Sequence, residues 1–152
     1  MKKICIICSS GGHLEEVKQL NKVIEKYNCY FVTTRTGATI KDKNYKYLIE
    51  DFDRKNIIKF FIKLIYMFIE QKKIFKLENP DIILTTGAGL VLPTCFFAKL
   101  HRKKIIYIES YARIKKLSKT GLLMYKFADK FIVQREELFS KYPKSIYGGV
   151  IF

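Results

Sequence analysis

The sequence predicts a doubly wound α/β domain, a parallel sheet with helices on both faces. Apolar runs such as Ile4–Ile7, Ile82–Leu84 and Ile105–Ile108 are nearly continuous, as expected of strands buried on both sides. They alternate with longer segments of helical character, the order that builds a parallel sheet with crossover helices. Glycines cluster where two of these strands hand over to helices.

Taken in order, Lys3–Cys8 reads as a strand, followed by a glycine turn and a helix over about Leu14–Lys26. Cys29–Thr33 is a second strand and Tyr45–Ile49 a short third. A long apolar helix runs from about Asn56 to Leu77 and ends at Asn79-Pro80, because proline cannot continue it. Asp81–Thr85 is the next strand. A Gly-Ala-Gly turn then leads to a helix over about Pro93–Leu100. Lys104–Ile108 is a strand, Gly121–Ala128 a short helix and Lys130–Val133 a strand; Arg135–Lys141 gives a last helical turn or two before Ser145–Tyr147. No repeat, low-complexity stretch or linker interrupts the pattern, and 152 residues suit a single domain spanning 1–152.

Charge narrows the partners without choosing among them. Twenty-nine Lys and Arg against 14 Asp and Glu leave a net charge of +15. That excess favours a polyanion: nucleic acid, an anionic bilayer or a phosphorylated substrate. No nucleic-acid-binding module is recognisable, so nucleic acid fits the charge and little else. The opening Met1-Lys2-Lys3 runs straight into the first strand, whose apolar stretch is too short for a signal peptide. The expected compartment is therefore the cytosol. Cys5 and Cys8 have C-x-x-C spacing, but an odd offset on a strand sends their side chains to opposite faces. The four cysteines read as core or boundary residues, and no metal site is expected.

Ligands of such sheets lie beyond the carboxyl ends of the strands, at a switch in strand order. After the first strand come Ser9, Ser10, Gly11, Gly12 and His13. This turn could present backbone N–H groups to a phosphate, or be a tight turn that needs glycine for its backbone and serine for its cap. It lacks the spacing of a Walker loop or a dinucleotide fingerprint. His13 at its mouth is either a cap or surface residue or a base active at neutral pH. After Ile82–Leu84 come Thr85, Thr86, Gly87, Ala88 and Gly89, a second glycine loop on the same sheet edge. After Ile105–Ile108 come Glu109 and, four residues on, Arg113. They could orient a sugar hydroxyl and clamp a phosphate, or form a local ion pair that fixes the loop.

In the long helix, Lys59, Lys63, Glu70 and Lys73 form one narrow stripe in an otherwise apolar circumference. Such a helix is buried in protein, lies in a membrane interface or meets a partner. Lys59 and Lys63 interrupt the apolar run before it could span a bilayer. For interfacial docking the contact residues would be Lys59, Phe60, Phe61, Lys63 and Phe68, with lysines at the headgroups and aromatics in the acyl boundary.

The strand-end segments together resemble a known family. They are Ser9-Ser10-Gly11-Gly12-His13, Thr85-Thr86-Gly87-Ala88-Gly89 with Pro93, Glu109-Ser110-x-x-Arg113, Leu117-Ser118-x-Thr120-Gly121, Ala128-Asp129-x-Phe131-Ile132-Val133-Gln134, and Tyr142-Pro143 followed by Tyr147-Gly148-Gly149. Their order is that of the family uniting the membrane-anchoring subunit of the eukaryotic dolichol-linked UDP-GlcNAc transferase with bacterial capsule and exopolysaccharide glycosyltransferase enhancers. The resemblance runs from Lys3 to Phe152. It implies a Rossmann-like domain similar to the N-terminal, acceptor-binding half of a MurG-like GT-B glycosyltransferase. A separate partner would supply the C-terminal half with the UDP-sugar site, and the acceptor would be a polyprenyl-diphosphate saccharide in the inner leaflet. By residue matching, Ser10, Gly11, Gly12, Gly87, Gly89 and Arg113 would bind the acceptor diphosphate or the leaving phosphates. His13 or Glu109 would be the base. No cofactor or metal is implied, since helix dipoles and backbone donors can stabilise departing UDP. The chain departs from the eukaryotic pattern in lacking the N-terminal anchor. The long helix and the basic surface then become its expected attachment to the cytoplasmic face of the membrane, as a peripheral protein. Ala88 stands where proline is common in relatives, a change expected to alter loop stiffness. The same resemblance also fits a non-catalytic scaffold that docks a self-sufficient transferase at the membrane.

Overall fold

The computed structural model describes residues 1–50 and 57–151, apart from the side chains of 57–59. Seven strands form one sheet: β1 (Lys3–Cys8), β2 (Asn28–Thr34), β3 (Tyr47–Ile49), β4 (Ile82–Gly87), β5 (Lys104–Ile108), β6 (Lys130–Val133) and β7 (Ile146–Tyr147). Their order is β3-β2-β1-β4-β5-β6-β7, and every neighbouring pair is parallel. The helices are α1 (Gly12–Lys18), α2 (Asn21–Lys26), α3 (Ile57–Glu78), α4 (Leu92–Leu100), α5 (Lys119–Phe127) and α6 (Glu136–Lys141). This is the doubly wound sheet read from the apolar runs. Strand order reverses between β1 and β4, so the loops after those two strands flank the switch point.

Alternation along each buried strand divides the core in two. Cys5 and Ile7 of β1 join Ile83, Ile105, Tyr107 and Val133 under α3, α4 and α5. Ile4, Ile6 and Cys8 join Leu84 and Ile108 under α1, with Val23 and Ile24 of α2 packed alongside. Cys5 and Cys8 thus lie on opposite faces. Burial pushes each thiol up to about 12, so both behave as small apolar side chains.

One expected helix is two. The chain breaks between α1 and α2, where Gln19 and Leu20 donate to Glu16 and Val17 in tight three-residue turns. The Leu20 carbonyl then accepts from Val23 and Ile24 and starts α2 afresh. The bend lets Leu14, Val17, Leu20, Val23 and Ile24 all reach the same cluster. Of the long helix's expected bounds, Asn56 lies outside the described residues, and α3 runs one residue past Leu77 to Glu78.

Glu78 anchors the far end of α3 to the sheet. Its carboxylate takes the Tyr47 hydroxyl, the Lys3 ammonium and the Lys46 ammonium at 2.8 Å. Burial opposes ionisation, but those donors outweigh it and hold the carboxyl at about 2. The opposite end of the sheet is left to the loops that matter for function.

Candidate functional site

The two glycine loops meet at the switch point. Gly11 has φ 87°, a conformation glycine adopts without strain, and both Gly11 and Gly12 are exposed with open space where a side chain would be. Ser10 is tied to β2: its N–H donates to Thr34 Oγ1 at 2.8 Å, and the Thr34 hydroxyl donates to Ser10 Oγ at 2.7 Å. The His13 carbonyl accepts from Thr86 Oγ1 at 2.8 Å, which binds the β1 loop to the end of β4. Gly87 belongs to the packing beneath. A Cβ there would sit 2.8 Å from the Tyr107 hydroxyl and 3.4 Å from His13 Cε1, so its bareness makes room for the histidine ring.

Ala88, next along, has φ 74° and ψ 157°, a region all but reserved for glycine. Proline, held near φ −65°, could not follow this path. A proline at this position would therefore require a different loop path. Gly89 then opens a short 3₁₀ turn, Gly89–Val91, that runs into α4.

His13 is half-buried and lines the cleft formed here. Its Nδ1 is buried with no hydrogen-bond partner among the described residues. Burial lowers its pKa below the usual 6.5, and Arg113 pushes the same way; Glu16 and the Thr86 backbone oppose them. The ring is accordingly neutral at neutral pH, the form a proton acceptor needs.

Glu109 occupies a different position. It is wholly buried, and its carboxylate accepts from Ser110 N at 3.1 Å, Ser118 N at 3.1 Å and Ser118 Oγ at 3.2 Å. Ser118 in turn caps α5 by accepting from Gly121 N at 2.8 Å. Gly121 leaves the carboxylate its space, for a Cβ there would lie 1.8 Å from Glu109 Oε2. Burial raises the Glu109 pKa, against the pull of those donors and of Arg113. Glu109, Ser118 and Gly121 are thus one structural unit that fixes the start of α5, and Glu109 does not line the cleft.

That cleft has a volume of about 1190 Å³. One wall carries His13, Gly89 and the cationic residues Arg113, Lys116 and Lys119; the other carries Phe60, Leu64 and Phe68 of α3. Helix α3 therefore has two apolar faces. Met67, Gln71 and Phe75 are buried, whereas Phe61, Ile62, Ile65, Tyr66 and Ile69 are exposed. Of the residues expected at a membrane, Phe61 and Lys63 are exposed. Phe60 and Phe68 line the cleft, and Phe68 also makes edge contacts with Phe96 and Phe97 of α4. The Lys59 side chain lies outside the described residues. Among the described residues, no helix is long and apolar enough to cross a membrane.

Three buried polar side chains frame the site, and the sequence singles out only Gln134, as the end of the Ala128–Gln134 motif. Glu16 of α1 accepts from Ser110 Oγ at 2.8 Å and Tyr111 N at 2.9 Å, holding the loop after β5. Gln134 donates to the Glu109 carbonyl at 3.1 Å. Gln71 of α3 donates to the Leu90 carbonyl at 2.8 Å and accepts from both Thr94 N and Thr94 Oγ, at 3.0 and 2.7 Å. Arg135 adds a fourth tie, donating to the Tyr111 carbonyl at 2.9 Å with its guanidinium 3.9 Å from the centre of that ring. On a helix, a Glu or Gln beside apolar neighbours looks like a solvated face; only the spacing to a later loop would reveal it.

Comparisons with known proteins agree with this architecture. The fold is similar to that of UDP-N-acetylglucosamine 2-epimerase from Rickettsia bellii, with TM-score 0.74 and 14% identity over 99% of this chain and 45% of that one. It is also similar to MurG from Acinetobacter baumannii, with TM-score 0.71 and 17% identity over 90% of this chain and 43% of that one. The chain spans less than half the length of both structures, and at these identities the likeness concerns fold alone. In sequence, a Kluyveromyces lactis protein named UDP-N-acetylglucosamine transferase subunit ALG14 is 36% identical over 185 residues, covering 96% of this chain and 77% of that protein. The family model described as "Oligosaccharide biosynthesis protein Alg14 like" matches residues 54–151, well over half the chain. The chain belongs to the Alg14-like family of oligosaccharide biosynthesis proteins.

Proposed function

We propose that this protein is the acceptor-binding, membrane-recruiting subunit of a two-chain glycosyltransferase that transfers a sugar from a UDP-sugar to a polyprenyl-diphosphate-linked saccharide. One observation carries the reading: the cleft sets a cationic wall of Arg113, Lys116 and Lys119 against an apolar wall of Phe60, Leu64 and Phe68. An amphiphile with an anionic head and a hydrocarbon tail matches both walls. The name borne by the yeast relative favours UDP-N-acetylglucosamine as the donor. The same name calls that relative a transferase subunit, which supports a partner chain carrying the UDP-sugar site. The setting proposed from the motif resemblance is capsule or exopolysaccharide assembly at the cytoplasmic face of the membrane.

In this reading the acceptor hydroxyl attacks the anomeric carbon, the bond from that carbon to UDP breaks, and His13 takes the hydroxyl proton. Neutral imidazole at the cleft wall suits the task. Ser10, Gly11, Gly12 and Gly89 border the phosphates and Arg113 clamps them, while Gly87 and Glu109 hold the frame. The exposed α3 face, with Phe61 and Ile65 outward, rests on the anionic bilayer.

The test is reconstitution of the chain and its partner with UDP-sugar and a polyprenyl-diphosphate saccharide in vesicles. Transfer is expected only with both chains present, and a His13→Gln variant should lose about 10²–10⁴-fold in rate. Near-normal transfer by the variant would instead favour a scaffold for a self-sufficient transferase.

A further inference from the structure

A second concavity of about 510 Å³, between α4 and α5, opens beside the cleft. We propose that it holds the prenyl chain of the lipid whose diphosphate enters the cleft, an inference that rests on the lipid-diphosphate function proposed above.

Continuity is the first argument. Phe68 and Leu92 line both the cleft and this groove, so a chain leaving the cationic wall passes directly into it. Polarity is the second: apart from Lys99, every side chain lining the groove is apolar. Lys99 reaches across from α4 to donate to the Phe127 carbonyl of α5 at 3.0 Å, which ties the two helices together at the end remote from the cleft. The groove thus runs between the Lys99–Phe127 tie at one end and the cleft at the other. Its floor is core, with Cys95, Ile105 and Met124 all buried. Its rims are large apolar groups left in water: Phe96 is 57% exposed, Leu123 42% and Phe127 48%. A volume of 510 Å³ falls within the usual range for enclosed small-molecule sites, about 300–1,000 Å³. A bilayer surface would seek the convex outer face of α3, and a slender hydrocarbon fits a narrow trough better.

The probe is farnesyl diphosphate carrying a diazirine at the end of its prenyl chain. It is photolysed on the intact protein, and adducts are mapped by peptide mass spectrometry. Amine acylation of Lys116 and Lys119 is followed in parallel, as a separate report on the cleft. Adducts are expected on α4 and α5, reduced at least tenfold by excess unlabelled farnesyl diphosphate, with both lysines protected. Leu123→Glu, at an exposed position, should cut the α4 and α5 adducts about fivefold or more while lysine protection persists and circular dichroism is unchanged. Adducts confined to the outer face of α3, or indifferent to competitor, with the lysines still protected, would sink the groove and leave the lipid-diphosphate cleft standing. Unprotected lysines would overturn both.

Discussion

Replacing Gly121 with alanine sets helix propensity against close contacts with Glu109 and Ser118. Within the first turn of α5, propensity alone favours alanine by up to about 1 kcal/mol. The structure opposes it, because the new Cβ would lie 1.8 Å from Glu109 Oε2. The carboxylate must leave, and with it go the bonds from Ser118 N and Ser118 Oγ. Hydrogen bonds to a charged group contribute about 1.5–3 kcal/mol each, so the net loss is about 2–5 kcal/mol. For a chain of this size that lowers the melting temperature by roughly 5 °C or more. Thermal unfolding of the variant measures it. A double-mutant cycle isolates the cause: in a Glu109→Ala background the same Gly121→Ala change meets only Ser118 Oγ at 2.9 Å and should cost well under the single-variant loss. A variant melting at or above wild type, or additive losses in the cycle, would refute the Glu109–Gly121 account.

Three further outcomes follow from other parts of the molecule. The folded Glu78 carboxyl titrates at about 2 against an ordinary 4.5, so its stabilisation is complete above about 4.5 and is lost as pH falls toward 2. Glu78→Gln should forfeit on the order of 3 kcal/mol at pH 7 and flatten that acid limb in denaturant titrations. With His13 as base, the transfer rate in the reconstituted complex should fall as pH drops through a value below 6.5; a midpoint above 6.5 contradicts its burial. Phe61→Glu combined with Ile65→Glu, at sites 56% and 60% exposed, should leave the melting temperature within about 2 °C. Flotation with anionic vesicles should drop at least tenfold, and unaltered flotation would remove α3 from the membrane contact.

What sequence could reveal followed from how each feature is encoded. The parallel sheet was readable because strands such as Ile4–Ile7 are apolar at consecutive positions, and the turns behind them marked the candidate site. The faces of α3 were not readable, since a helix apolar nearly all round carries no periodic mark to separate Phe68, which turns inward, from Phe61, which does not. Glu109 was open to either a catalytic or a loop-fixing role because strand-end position is encoded locally, whereas its burial depends on Ser118 and Gly121 folding back over it. The break between α1 and α2 has no glycine or proline to announce it; the demand that Leu20, Val23 and Ile24 reach one cluster creates it.

Gln71 has a mechanical consequence. Its amide fastens the middle of α3 to the Leu90 carbonyl and to Thr94, on the segment that leads from Gly89 into α4. Helix α3 cannot roll or tilt without carrying that segment with it. Whatever surface α3 rests on therefore sets the height and pitch of the mouth between His13 and Gly89, much as a keel sets the trim of a deck.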